Sequence, residues 1–99
     1  MWSVGVTGDG TMMEAERIVR AMVEFDAGLP QDIRERIIEN ESDYINYAAV
    51  MNKLDELYLA AVGHRDEDVK ELKVEVIRAL DWFEYKYDVD MRAVQKMIL

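Results

Sequence analysis

The sequence predicts an all-α fold, a small bundle of four helices (five where one long stretch divides), preceded by a short extended N-terminal arm. Three observations carry this expectation. From Thr11 onward apolar residues recur at three-to-four spacing, the period of a helix with one buried face. The pattern is interrupted at Gly28 to Pro30 and again at Gly63 to Arg65, where short turns belong. An apolar fraction of 51% beside 33% charged residues gives a chain of 99 residues enough side chains to offset its ordering entropy, in one domain around one core.

At the start, Trp2, Val4 and Val6 alternate with Ser3, Gly5 and Thr7, the period of a half-buried strand. No second strand offers itself, so residues 1–10 are expected to lie over the bundle as an arm or to pair with their own copy across a two-fold axis. Thr11 followed by Glu14 has capping-box spacing, and Ala15, Ile18, Val19, Met22 and Phe25 then keep one face, which predicts a helix over 12–27. Gly28 supplies a stop, and Pro30 suits a first helical position because its missing N–H would be unbonded there.

Residues 30–62 admit two readings. Ile33, Ile37, Tyr44, Ala48, Met51, Leu54, Tyr58 and Ala61 hold one face throughout, as a single long helix would. Asn40 or Ser42 can instead cap a fresh helix after a short one ending at Glu39. After the Gly63 turn, Asp66 can cap a helix over 66–87 carrying Val69, Leu72, Val76, Leu80, Phe83 and Tyr87. Asp90 can cap a short amphipathic helix over 90–98 with Met91, Val94, Met97 and Ile98, apolar enough to be docked rather than frayed.

Charge and composition exclude several classes of function. The net charge of −9 is spread along the chain, so the surface lacks the basic footprint that binds phosphate backbones, and direct nucleic-acid binding is not expected. The longest apolar run, Leu57 to Val62, is far short of the ~20 residues of a membrane span. The chain has no cysteine, which removes disulfides, thiolate catalysis and cysteine-held zinc together and fits a cytoplasmic location.

No catalytic, cofactor or metal site emerges from the motifs. The string Val6-Thr7-Gly8-Asp9-Gly10-Thr11 resembles the Thr-Gly-Asp-Gly loop of P-type cation pumps and their haloacid-dehalogenase-like relatives. That resemblance implies a role for Asp9 in holding magnesium beside a phosphoryl group. It covers six of 99 residues, Met12 and Met13 replace the family's acidic or amide pair, and the phosphorylated Asp-Lys-Thr-Gly motif is absent. Read from the residues alone, the string is a turn leading into a capped helix. His64, the one histidine, has no acid three residues before it, so the Glu-x-x-His unit of di-metal bundles is missing. All-α nucleotide pyrophosphatases would show Glu-x-x-Glu and Glu-x-x-Asp pairs; this chain has Asp32-x-x-Glu35, Asp68-x-x-Glu71 and Asp81-x-x-Glu84, each readable as a solvated helix face. Ser3, Thr7 and Ser42 sit in no nucleophile context.

Function is therefore read from surfaces. Four aromatics in Trp82 to Tyr87 point around most of a helix, more than a single core-facing stripe needs. Trp82 and Tyr85, with Tyr44, Tyr47, Met97 and Ile98, are the interface candidates, since aromatics and Met concentrate in interface cores. Glu39, Glu41 and Asp43 form an acidic patch. Together they predict a non-enzymatic interaction protein, a small regulator or adaptor assembled as a homodimer or bound to another protein. Two alternatives stand beside it: a magnesium-dependent hydrolase using helix carboxylates, and an acidic mimic of nucleic acid that sequesters a basic protein.

Overall fold

Interruptions at Gly28, Asn40, Gly63 and Asp88 divide the chain into five helices, in a computed structural model that describes residues 3–99 and side chains from Met13 onward. They are α1 (Ser3–Ala27), α2 (Gln31–Glu39), α3 (Glu41–Val62), α4 (Asp66–Tyr87) and α5 (Arg92–Ile98). The described residues contain no strand. None of their helices is long and apolar enough to cross a membrane.

The first helix begins earlier than the capping-box spacing predicts. The alternation of residues 2–7 predicts an extended arm over 1–10 and a helix from 12, but α1 already runs from Ser3. A lone strand leaves its backbone N–H and C=O groups without partners, whereas a helix pairs them internally. The three glycines in this stretch cost only about 1 kcal/mol each in a helix, and no proline blocks it. Met1 and Trp2 lie outside the described residues.

The break near residue 40 is real. Asn40 adopts an extended backbone, and its side-chain oxygen accepts the N–H groups of Ser42 at 2.9 Å and Asp43 at 3.3 Å, capping α3. At the α1–α2 turn the Gly28 N–H donates to the Glu24 carbonyl at 2.9 Å. A Cβ on Gly28 would sit 2.9 Å from that same oxygen, so close approach demands glycine here although its φ is not positive. Pro30 proves to be the residue before α2, not its first helical residue, and presents its carbonyl to the Arg34 N–H at 3.0 Å.

The left-handed turning positions fall on two non-glycine residues, His64 at φ 58° and Asp88 at φ 54°. Asp66 opens α4 within its first turn, and Arg65 takes the cap position. The last helix starts at Arg92, two residues beyond the sequence boundary, because Asp90 stays outside it and accepts the Arg92 N–H at 3.0 Å. Met91 is held by the Glu84 carboxylate, which accepts its N–H at 2.6 Å.

Packing follows from the stripes. Helix α3 is central: α4 lies along one side of it, α1 along the other, and α2 packs against it as well. Helix α5 closes the bundle against α1 and α4. Ile18, Ala21 and Phe25 of α1 meet Val50, Leu54 and Leu57 of α3, Val76, Leu80 and Phe83 of α4, and Met91, Val94 and Ile98 at the C-terminal end. Phe25 lies at the middle of an aromatic chain. Its ring stacks on Tyr47 at 5.6 Å and meets the edge of Phe83 at 5.0 Å, and Phe83 packs on Tyr87 at 4.5 Å.

Candidate functional site

The two sides of α3 are finished differently. Toward α4, the polar residues of α3 are joined across the seam: Lys53 donates to Glu75 at 2.7 Å and Asn46 to the Tyr87 hydroxyl at 2.9 Å. Toward α1, Tyr47, Met51 and Tyr58 are only half-buried, and a furrow remains between the helices.

Four neighbouring hollows that share lining residues make up the furrow. The first, about 410 Å³, is lined by Ala15, Glu16, Val19, Arg20, Tyr58 and Val62. Val19 is shared with the second, which adds Met22, Val23, Asp26, Ala27, Tyr47 and Met51. Asp26 and Tyr47 continue into the third, with Leu29, Arg34, Ile37 and Ile38. The two isoleucines then border the last, among Glu39, Asn40, Glu41 and Tyr44. Ile38 is 82% exposed and Val23 59%, so the apolar lining is open to water and not a second core.

Two clusters of matching composition hold α2 at the end of this furrow. In the first, Tyr47 donates its hydroxyl to Asp26 at 2.7 Å, and Arg34 of α2 pairs with the same carboxylate at 3.7 Å and donates to the Asp26 carbonyl. Burial, reinforced by the carboxylate, pushes the Tyr47 phenol up to about 12. In the second, Tyr87 donates to Asp43 at 2.6 Å and Arg36 of α2 approaches that carboxylate at 3.4 Å, with its guanidinium 5.0 Å over the Tyr87 ring. The Tyr87 hydrogen bond, then Arg36, holds the Asp43 carboxyl below its ordinary 3.8 against the opposing effect of burial. Burial and the same bond raise the Tyr87 phenol.

The residues singled out from sequence separate into three places. Tyr44 and Tyr47 line the furrow. Trp82 and Tyr85, the latter 88% exposed, sit with Val74 on the outer face of α4, away from Val76, Leu80 and Phe83. Met97 is half-buried and Ile98 is core, docked at the end of α5. Of the acidic patch, Glu39 and Glu41 are exposed at the furrow's end, whereas Asp43 is turned inward to Tyr87 and Arg36. Sequence reasoning did not single out Val19, Val23, Ile38 or Arg20 as site residues. The available signal was the adjacent pair Ile37-Ile38: with Ile33 and Ile37 on the buried face of a short helix, Ile38 falls about 100° away, at or beyond the edge of that stripe.

Glu56, Asp68, Glu71 and Glu75 border a polar cleft between α3 and α4, where Lys53 pairs with Glu75 and Glu56 and Arg65 pairs with Asp68. Among the described residues no group of three or more His, Asp or Glu side chains could hold a metal ion. Asp9 lies in the backbone of α1 with its side chain outside the described residues, and His64 occupies the α3–α4 turn. Compared with known protein families, with curated proteins and with solved structures, the chain matches none of them.

Proposed function

We propose that this protein is a non-enzymatic interaction module, a small cytoplasmic regulator or adaptor that works as a homodimer through the furrow between α1, α3 and α2. One observation carries the reading: neighbouring hollows that share lining residues follow one another from Val62 to Ile38, with apolar side chains bordered by charges and no other described element over them. Interfaces combine this kind of apolar centre with a polar rim. Absence of cysteine and the acidic surface support the cytoplasmic placement. The acidic-mimic alternative draws less support, because Asp43 spends its charge on Arg36 and Tyr87 and leaves only Glu39 and Glu41 facing solvent in that patch.

The test is solution mass by light scattering over a concentration series, repeated for Val23→Glu, an exposed furrow position outside the core. The expected result is a wild-type dimer and a folded monomeric variant with unchanged helical circular dichroism. A wild type that stays monomeric at every concentration overturns the homodimer. A dimer insensitive to Val23→Glu moves the interface away from the furrow.

A further inference from the structure

We infer that the furrow receives the same furrow of a second copy, turned end for end about a two-fold axis near Met51, so that Arg20 of each copy meets Glu39 and Glu41 of the other. This rests on the homodimer reading above and adds its register and its charge pairing.

The first support is the symmetry of α3 itself. Tyr44, Met51 and Tyr58 are seven residues apart and line successive parts of the furrow. At 1.5 Å per residue the two tyrosines lie about 10 Å to either side of Met51. A two-fold axis across α3 at Met51 therefore exchanges them, setting Tyr44 of one copy against Tyr58 of the other, as an isologous interface requires. A heptad stripe is also the spacing at which two helices keep one seam in contact.

The second support is charge. Arg20 lines the Tyr58–Val62 end, and no carboxylate lies within ion-pair distance of it among the described residues. Helix α1 runs antiparallel to α3, since Asp26 bonds Tyr47 while Ala15 and Val62 line the same hollow. Helical side chains lean toward their own N-terminus, so Arg20 leans toward the Val62 end. The opposite end exposes Glu39 and Glu41 beside Ile38 and Tyr44. Turning one copy over brings Arg20 of each furrow to the Glu39 and Glu41 end of the other, twice. A basic amphipathic helix would use Glu39 and Glu41 but leave Arg20 facing like charge; a second copy uses both. Glu16 shares the Arg20 end and opposes the pairing, so Glu16→Gln should tighten the dimer.

A mixing experiment tests the register. Arg20→Glu alone faces acid with acid at both junctions, and the double variant Glu39→Lys/Glu41→Lys alone faces base with base. Each is expected to weaken self-association by about tenfold or more in sedimentation equilibrium, because like charges brought together at an interface are costly. Mixed in equal amounts, the two variants have both junctions matched and should form a heterodimer with wild-type affinity. A wild-type dimer with no preference for the mixed pair overturns the register while leaving the homodimer standing. A wild-type monomer overturns both. A monomer whose furrow instead binds a synthetic Lys/Leu amphipathic helix, with Val23→Glu abolishing that binding, overturns the second copy as occupant.

Discussion

The two Tyr–Asp–Arg clusters are the same chemistry in different surroundings. Tyr87, Asp43 and Arg36 close the α3–α4 seam, and the Asp43 side chain is only 10% exposed; Tyr47, Asp26 and Arg34 border the furrow, and Asp26 is 46% exposed. Each phenol spans from the aromatic chain to a carboxylate, and each carboxylate takes an arginine from α2. A hydrogen bond to a buried charge is costly to remove, because its partner is left without water to replace the lost donor. The same bond at a wet edge is replaced by solvent. The inner cluster therefore acts mainly on stability, whereas the outer one shapes a surface at little energetic cost.

The largest effect should come from breaking what joins the clusters. Phe25 is fully buried and touches both Tyr47 and Phe83. Phe25→Ala is expected to cost about 3–5 kcal/mol of unfolding free energy in urea titration, combining lost burial with a cavity. Next, Tyr87→Phe removes the phenol from Asp43 and Asn46 together and should cost about 1–3 kcal/mol, whereas Tyr47→Phe should cost about 1 kcal/mol or less. Equal losses would mean that the two carboxylates are equally able to recruit water, and the distinction between lock and edge would collapse.

The pH dependence separates the clusters further. The Asp43 carboxyl is lowered in the fold, so its contribution is present above the ordinary 3.8 and is lost as pH falls through the lowered value; Tyr87→Phe should weaken this acid limb. Tyr47 behaves in the opposite sense. Its phenol is raised from 10.0 to about 12, so the neutral form stabilises the fold below pH 10 and that contribution is lost as pH rises toward 12. The stability difference between wild type and Tyr47→Phe should accordingly shrink across this window, measured by urea unfolding at fixed ionic strength. A constant difference would show that the Tyr47–Asp26 bond adds nothing specific to the protonated phenol.

Much of the helical layout was legible because it is local. Gly28, Asn40 and Gly63 announce their turns through short-range sterics and side-chain capping, and the Val76, Leu80, Phe83 and Tyr87 stripe announces its buried face through period alone. The pairing of Asp43 with Tyr87 was not legible, because it joins residues 44 apart that meet only once α3 and α4 are packed. The same holds for the furrow. Tyr44, Ala48, Met51 and Tyr58 read as a core stripe, yet what decides whether such a stripe is covered is the distance between α1 and α3. Periodicity orients a face but does not supply the neighbour that covers it.

The smallest effect expected sits next to the inner cluster. Asp88, directly after Tyr87, ends α4 in a left-handed conformation at φ 54°, with its N–H donating to the Glu84 carbonyl. An L side chain pays about 1–2 kcal/mol for that region, less for Asp than for most, and glycine pays none in the fold but gives up more entropy on folding. Asp88→Gly should therefore stabilise the protein by about 0.5–1 kcal/mol or less, seen as a rise of a few degrees in Tm. Because the change lies at the end of the helix that carries Tyr87 and not among the furrow residues, it should leave the proposed self-association unaltered. If the same substitution shifted self-association, α4 would belong to the interface, and the outer face bearing Trp82 and Tyr85 would have to replace the furrow as the working surface.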